Sequence, residues 1–278
     1  MTGVYEQEVT LETERLERDP AQAGRTHPRS IEHRAIAEQF HLMYTSALFA
    51  GMSSDECNDV LAWSRLKKLA RNEMLFLQGE PFNKLVMIQT GMVKVTQTSL
   101  GGQEVILRVI RARDTVGLHA DSSVFRHACS ACAMEPSRAF VWEYRDFRSI
   151  EAQYPQLTIN IQSILSGRLI ELEKMFSEIA TGSAAQRLGL TLLRLLERVG
   201  EASGDGVTVN LRREELSQMT GLTVFTISRA LAKWARSGLV IPRREAILVK
   251  DLLRFRAELK SEVREAKIEP NTQRDHLM

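Results

Sequence analysis

The spacing of apolar residues divides the chain into segments of different secondary structure. From about Lys67 to Trp142, short apolar runs alternate with turn residues such as Gly91 and Asp114. This spacing predicts antiparallel strands that form a roll or a sandwich. Before them, residues 31–48 carry apolar positions at helical spacing, and the sequence predicts a short helix there.

A long helix is predicted after the strands, over residues 156–182. Its apolar residues recur every three or four positions, and the stripe is longer than one small β domain would cover. We therefore expect the helix to pair with a second copy of the chain in a homodimer. A single amphipathic helix packed on its own β domain has the same pattern. The interface residues predicted from this stripe are Leu157, Ile161, Leu165, Leu172, Met175 and Ile179.

Two short helices separated by a glycine are predicted in the C-terminal part. Residues 212–220 form the first helix, Gly221 the tight turn, and Thr223 the N-cap of the second helix. Two helices joined in this way form a helix-turn-helix. The apolar runs on either side of residues 242–245 add a two-stranded wing. The apolar residues expected to hold the two helices together are Leu216, Met219, Leu222, Ile227 and Leu231.

The predicted fold class is α+β. An antiparallel β-roll of the jelly-roll kind comes first, a long dimerisation helix follows, and a winged helix-turn-helix ends the fold. Residues 1–30 lack apolar periodicity and are expected to be disordered. The predicted segments are a disordered extension (1–30), a β-roll sensor domain (31–155), the dimerisation helix (156–182), the winged helix-turn-helix (183–260) and a C-terminal tail (261–278).

Charge is distributed unevenly along the chain. From Val207 to Lys260 there are eleven Lys and Arg against five Asp and Glu, a net +6, which leaves −4 for the rest. A basic block on one domain is typical of a polyanion binder, although a solvated basic face has the same count.

Composition and motifs exclude several classes of protein. Three cysteines are an odd number that does not suit a disulfide framework and fits a reducing cytoplasm. No apolar stretch has the length of a signal peptide or a membrane span, so we expect a cytoplasmic protein without membrane contact. No Ser-His-Asp order, P-loop or paired-carboxylate motif is present, and we expect no enzymatic activity.

The outer, N-terminal face of the second helix is the part of a helix-turn-helix that enters the major groove of DNA. The candidate base-reading residues on this face are Thr223, Val224, Phe225, Ser228 and Arg229. We assign phosphate contacts to Arg213, Thr226 and Lys233, because such contacts position a protein without reading sequence. A dimer would place two such helices about 34 Å apart on a near-palindromic duplex.

Two segments resemble the Crp/Fnr family of transcription regulators, in a match that extends over about residues 38–255. They are LSQMTGLTVFTISRALAKWARSGLV in the helix-turn-helix and EMLFLQGEPFNKLVMIQTGMVKV in the roll. The resemblance implies that Arg229 takes the place of the family's guanine-reading arginine, whose guanidinium can bond O6 and N7 together. Phe225 stands where the family usually carries a glutamate. The target half-site is therefore expected to differ from the usual one, unless Phe225 is buried against the wing.

The resemblance also implies an effector site in the roll. The cyclic-nucleotide branch of the family holds a phosphate with Gly-Glu and Arg-Ser pairs. Here Gly117-Leu118 and residues 127–129 (His-Ala-Cys) stand in those places, so we do not expect a cyclic nucleotide. Arg126 would restore the arginine if the register shifted by one residue.

Two other branches of the family use cofactors. An iron–sulfur cluster needs four cysteine ligands, whereas only Cys57, Cys129 and Cys132 are available here, so this reading would need a cluster that bridges a dimer or has mixed ligands. In the haem branch, His119 aligns with the haem-ligating histidine, but Gly117 stands where that branch has a cysteine, and a lone histidine at a turn is also typical of a protein surface. His41 is a candidate second ligand, or simply lies on the surface of the first helix. Cys129 and Cys132 are also a candidate redox pair, or simply fill the core.

The sequence therefore predicts a sequence-specific DNA-binding regulator. Its roll would sense a small molecule, a gas or a redox signal, with haem as the candidate cofactor, and would re-aim the recognition helices. By the resemblance, residues 200–206 are the surface for RNA polymerase, or merely a hairpin connection. The alternative is a haem, gas or ligand sensor that acts through protein contacts rather than DNA.

Overall fold

A computed structural model describes residues 43–118 and 126–268, with side chains up to residue 261. The predicted disordered extension, most of the helix predicted at 31–48 and the end of the predicted tail lie outside the described residues. Met43 and Tyr44, the first described residues, are helical as predicted, but Ala47–Phe49 form a separate 3-10 turn where the helix was expected to end. The Ser46 hydroxyl group accepts a hydrogen bond from the backbone N–H of Leu48 and so begins this turn.

The roll consists of two four-stranded antiparallel sheets, as the alternating pattern predicts. Their orders are β1-β8-β3-β6 and β2-β7-β4-β5. The strands are β1 (Arg65–Leu69), β2 (Met74–Phe76), β3 (Lys84–Thr90), β4 (Met92–Thr98), β5 (Glu104–Arg111), β6 (Thr115–Val116), β7 (Ser130–Ala133) and β8 (Ser137–Glu143).

The core of the roll forms because alternate residues of the strands point inwards. Val93 and Val95 of β4 are fully buried and pack with Ile110 of β5. Gly91, between β3 and β4, has φ +88°, and a Cβ atom there would lie 2.2 Å from the hydroxyl oxygen of Ser137. Only glycine fits this turn, which brings β4 back beside β7.

Three helices surround the roll. Helix α1 (Ser54–Ala62) begins with a capping box between Ser53 and Glu56. Helix α2 (Tyr144–Gln153) follows β8, and helix α3 (Pro155–Thr181) begins at a proline, which is favourable in the first turn. Helix α3 confirms the long helix predicted over 156–182.

The C-terminal domain has the winged helix-turn-helix architecture that the sequence predicts. Its sheet has the order β11-β12-β10-β9. Residues 200–206 form a hairpin, in which strand β9 pairs with the start of β10. The elements are α4 (Ala184–Val199), β9 (Glu201–Ser203), β10 (Gly206–Val209), α5 (Arg213–Thr220), α6 (Val224–Arg236), β11 (Val240–Pro242), β12 (Ile247–Val249) and α7 (Leu252–Ile268).

The domain boundary predicted at residue 260 falls inside α7, which continues beyond it. Two buried residues of this helix explain why it is ordered. Phe255 meets Trp234 edge to face, with ring centres 5.1 Å apart, and Leu259 packs directly over Gly189 of α4. Helix α7 therefore packs into the core of the DNA-binding domain through residues that precede this boundary.

Candidate nucleic-acid interface

The turn between α5 and α6 sets the angle of the helix pair. Gly221 adopts a left-handed conformation with φ +67°, which ends α5. The Ser217 hydroxyl group donates a hydrogen bond of 2.6 Å to the carbonyl of Leu222 and closes the turn. The five apolar residues predicted to hold the pair together are all buried: Leu216, Met219, Leu222, Ile227 and Leu231.

Helix α6 begins at Thr223, in agreement with the predicted N-cap. The Thr223 hydroxyl oxygen accepts a 3.1 Å hydrogen bond from the backbone N–H of Thr226, and the two threonine hydroxyl groups lie 2.9 Å apart. Both predicted contact residues therefore already serve the start of the helix. The positive end of the helix dipole points outwards here, which suits a phosphate or an electron-rich base edge.

The first two turns of α6 present the predicted base-reading side chains. Phe225 is 70% exposed, so its burial against the wing, the alternative weighed from sequence, is wrong. Val224 and Arg229 are also exposed, and Ser228 is half-buried beside them. The Arg229 guanidinium carbon lies 5.8 Å from the centre of the Phe225 ring. The two long side chains thus form one unit at the tip of the domain.

The predicted phosphate contacts lie on two helices. Arg213 is half-buried in the first turn of α5, while Lys233 is exposed on α6. Sequence reasoning missed Arg243 and Arg244, two exposed arginines in the turn of the wing. The sequence feature that could have identified them is that they are adjacent in a predicted tight turn, which brings two positive charges to one projecting point.

The predicted interface residues of helix α3 differ in their exposure. Leu157 and Ile161 are buried within the protomer, and Met175 lines a cavity against β5 and α4. Burial in the protomer contradicts the assignments of Leu157 and Ile161, because a periodic stripe does not reveal which of its residues the protomer itself covers. The assignment of the half-buried Met175 stays a prediction. The exposed stripe consists of Leu165 (half-buried), Leu169, Leu172, Phe176 and Ile179.

The sensor-site candidates are spread over the roll. His119 and His41 lie outside the described residues. Cys132 is buried on β7 and Cys129 is half-buried just before it. Burial raises the pKa of Cys129, although the nearby charges of Arg108 and Arg168 act in the opposite direction. Where the described side chains extend, no three His, Cys, Asp or Glu residues converge to hold a metal, so Cys57 does not join the other two cysteines.

His127 and Arg126 lie at or next to the place where the cyclic-nucleotide branch of the family has its phosphate-binding arginine. His127 is buried and stacks on Phe76, with ring centres 3.8 Å apart. Arg126 is exposed and donates a 2.7 Å hydrogen bond to the carbonyl of Gly79. The half-buried guanidinium groups of Arg108 and Arg168 act on Cys129 from other elements, a source of positive charge that the sequence comparison missed.

Two protein-family models match this chain. The cyclic nucleotide-binding domain matches residues 66–154, and the Crp-like helix-turn-helix domain matches residues 186–258. They correspond to the roll and to the C-terminal domain. No helix in the described part of the chain is both long and apolar enough to cross a membrane.

Proteins of similar sequence or fold match most of this chain. The chain is 26% identical over 216 residues to the cyclic AMP receptor protein of Thermus thermophilus, covering 76% of this chain and 98% of that protein. It is also 26% identical to electron transport regulator A of Shewanella oneidensis, covering 71% and 78%. In fold, it resembles the c-di-GMP responsive global regulator CLP of Xanthomonas campestris, with a TM-score of 0.64, 18% identity and coverage of 72% and 100%.

Proposed function

We propose that this chain, which belongs to the Crp/Fnr family of transcription regulators, binds a near-palindromic DNA operator as a homodimer and changes its affinity when its roll receives a signal. As a member of the family it is a DNA-binding regulator with a sensor domain, and it is not an enzyme. The proposal concerns the mode of DNA recognition, the assembly and the signal.

The exposure of Phe225 and Arg229 on the first turns of α6 carries the proposal. A guanidinium group at this place can bond both acceptors of a guanine, and a phenyl ring can contact a thymine methyl group. A carboxylate, by contrast, would accept a hydrogen bond from a base amino group. We therefore infer an operator whose half-sites contain a guanine and differ from the family's usual sequence beside it.

The exposed stripe of α3 supports the homodimer. Leu165, Leu169, Leu172, Phe176 and Ile179 are spaced four, three, four and three residues apart, the repeat of a two-stranded coiled coil. Phe176 is 73% exposed in the protomer. Large apolar side chains in an unbroken line are typical of a surface that another chain covers.

The signal would reach DNA through α3, because this helix contacts the 3-10 turn before the roll near its start and α4 near its end. The Asn160 side-chain amide donates hydrogen bonds to the carbonyls of Leu48 and Ala50, and Arg194 of α4 pairs with Glu178 at 2.6 Å. An effector that favours one packing of α3 would shift the population with correctly spaced recognition helices. The hairpin β9–β10 is our candidate surface for RNA polymerase in the cytoplasm.

Selection from a random duplex pool tests DNA recognition. The purified protein should enrich a near-palindrome whose half-site centres lie about 34 Å apart, one turn of DNA. A protein that acts only through protein contacts would enrich no common motif, and that result would overturn the proposal.

Haem is the effector candidate that rests on His119, which lies outside the described residues. Protein produced with haem should show a Soret absorption band that shifts in the His119→Ala variant. The absence of a Soret band would leave a small-molecule or thiol signal as the alternative and would remove haem.

A further inference from the structure

A cleft of about 460 Å³ lies where the roll, α3 and α4 meet. The turn between β5 and β6 forms one wall, and the middle of α3 forms another. Arg198, near the end of α4, closes the cleft from the side of the DNA-binding domain. Thr45, Ser46, Arg168 and Arg198 all lie outside residues 66–154, the segment that the cyclic nucleotide-binding model matches. We call this space the arginine cleft.

Positive charge dominates the arginine cleft. Its lining contains Arg111, Arg113, Arg168 and Arg198 against the carboxylates of Asp114 and Glu171. Arg198 contacts both carboxylates, at 3.5 Å and 3.4 Å. Among the described residues, the other three arginines have no ion-pair partner within 4 Å. The lining therefore has an excess of guanidinium groups over carboxylates.

Arg168 is the most unusual of these groups. Its guanidinium donates a 2.5 Å hydrogen bond to the carbonyl of Thr115, a neutral acceptor. Burial, and then the neighbouring charge of Arg108, lower the pKa of Arg168 to about 9. Holding like charges together away from water costs free energy, and a bound anion would offset that cost.

Hydroxyl groups complete the lining. Thr45 accepts a 2.9 Å hydrogen bond from the Arg113 guanidinium, and Ser46 donates a 2.6 Å bond to the Arg113 carbonyl. Arg113 itself has φ +76°, a conformation that non-glycine residues rarely adopt. Backbone strain of this kind is concentrated at binding sites. The contacts of Thr45 and Ser46 hold Arg113 at the mouth of the cleft.

We infer that the arginine cleft binds a phosphorylated small molecule, with its phosphoryl oxygens between Arg168 and Arg198. Guanidinium groups bind phosphate through paired charge-assisted hydrogen bonds, and several converging guanidiniums suit a multiply charged anion. The volume lies in the usual range for small-molecule sites.

Binding there would act on the link between domains. An anion that draws Arg198 away from Asp114 and Glu171 would loosen the only described ion pairs that join α4 to both the roll and the middle of α3. This consequence rests on the proposed function, whereas the binding itself does not. A binding measurement without DNA therefore tests the cleft independently of DNA recognition.

Isothermal titration of the full-length protein with inorganic pyrophosphate, AMP and adenosine, in 0.15 M salt, tests the inference. Pyrophosphate or AMP should bind, and adenosine should not. Arg168→Gln should weaken binding at least tenfold, and Glu171→Gln should strengthen it severalfold by removing a competing carboxylate. Arg145→Gln is the matched control, because Arg145 is exposed on α2 outside the cleft. Binding of AMP would identify a nucleotide ligand, and binding of pyrophosphate alone an inorganic one.

Either of two results would overturn the inference. One is no heat of binding for either phosphate compound. The other is equal weakening by Arg168→Gln and Arg145→Gln, which would indicate a diffuse charge effect. Thermal unfolding shows whether the Arg168→Gln protein is folded. If it is not folded, the Glu171→Gln variant decides: stronger phosphate binding supports the cleft, and unchanged or weaker binding overturns it.

Discussion

The Arg229 guanidinium lies over the face of the Phe225 ring, four residues earlier on the same exposed side of α6. A cation over an aromatic face is attracted by the ring's quadrupole. Phe225 therefore restricts where Arg229 can point before DNA is bound. Phe225, which stands where a glutamate was expected, thus helps to position Arg229.

Replacing Phe225 with alanine should weaken operator binding about two- to fivefold, because an exposed cation–π contact contributes about 0.5–1 kcal/mol. Fluorescence anisotropy with labelled operator measures the change. Leu253→Ala is the control, since Leu253 is an exposed apolar residue on α7 that should leave affinity unchanged. Equal affinity of Phe225→Ala and wild type would show that the ring neither orients Arg229 nor contacts a base.

The Phe176→Glu variant should be monomeric at concentrations at which the wild type is dimeric. Like charges would face each other in the middle of the exposed stripe, and burying them costs free energy that the apolar contacts would not offset. Sedimentation velocity reports the mass. Leu100→Glu, at the exposed tip between β4 and β5, should remain dimeric. A dimeric Phe176→Glu protein would mean that chains associate through another surface.

The helix-turn-helix was predictable because its signals are local. Gly221 supplies the left-handed turn and Thr223 the N-cap, and both act within a few residues of their place in the sequence. The face of α3 was only half predictable. Leu157 belongs to the same periodic stripe as Leu172, but only the packing of the roll reveals that Leu157 is buried.

The arginine cleft and helix α7 had no local signal at all. Arg111, Arg168 and Arg198 are distant in sequence and meet only when three elements pack together. Phe255 and Leu259 are too few to indicate an amphipathic helix from sequence. Helix α7 is ordered because Phe255 packs against Trp234 and Leu259 packs over Gly189. Contacts between distant segments depend on tertiary structure, which periodicity does not encode.

Replacing Gly221 with alanine should lower the free energy of unfolding by about 1–2 kcal/mol, the cost of placing a Cβ atom in the left-handed region. No atom lies within 4 Å of the added carbon, so the penalty comes from the backbone alone. Gly204→Ala is the control, because Gly204 lacks a positive φ and also has open space around it. Denaturant unfolding should separate the two variants, and equal stability would contradict the strained turn.

The cysteines should react slowly with iodoacetamide at pH 7.5. Burial raises the pKa of Cys57 to about 11 and also raises the pKa values of Cys129 and Cys132. The groups are therefore thiols rather than reactive thiolates at this pH, and reaction should accelerate as the pH rises or the protein unfolds. Mass spectrometry measures the rates. Rapid labelling of Cys129 in the folded protein at pH 7.5 would instead favour a redox role.

Arg229 should read one base pair of each operator half-site directly. Binding of the selected operator, and of duplexes with single base-pair changes, should be measured for wild type, Arg229→Ala and Lys233→Gln. The wild type should lose about 1–3 kcal/mol of binding free energy when one guanine in each half-site is replaced. Arg229→Ala should no longer distinguish that base pair, and Lys233→Gln should bind all duplexes uniformly less well. An Arg229→Ala protein that keeps the wild-type preference at every position would contradict the account.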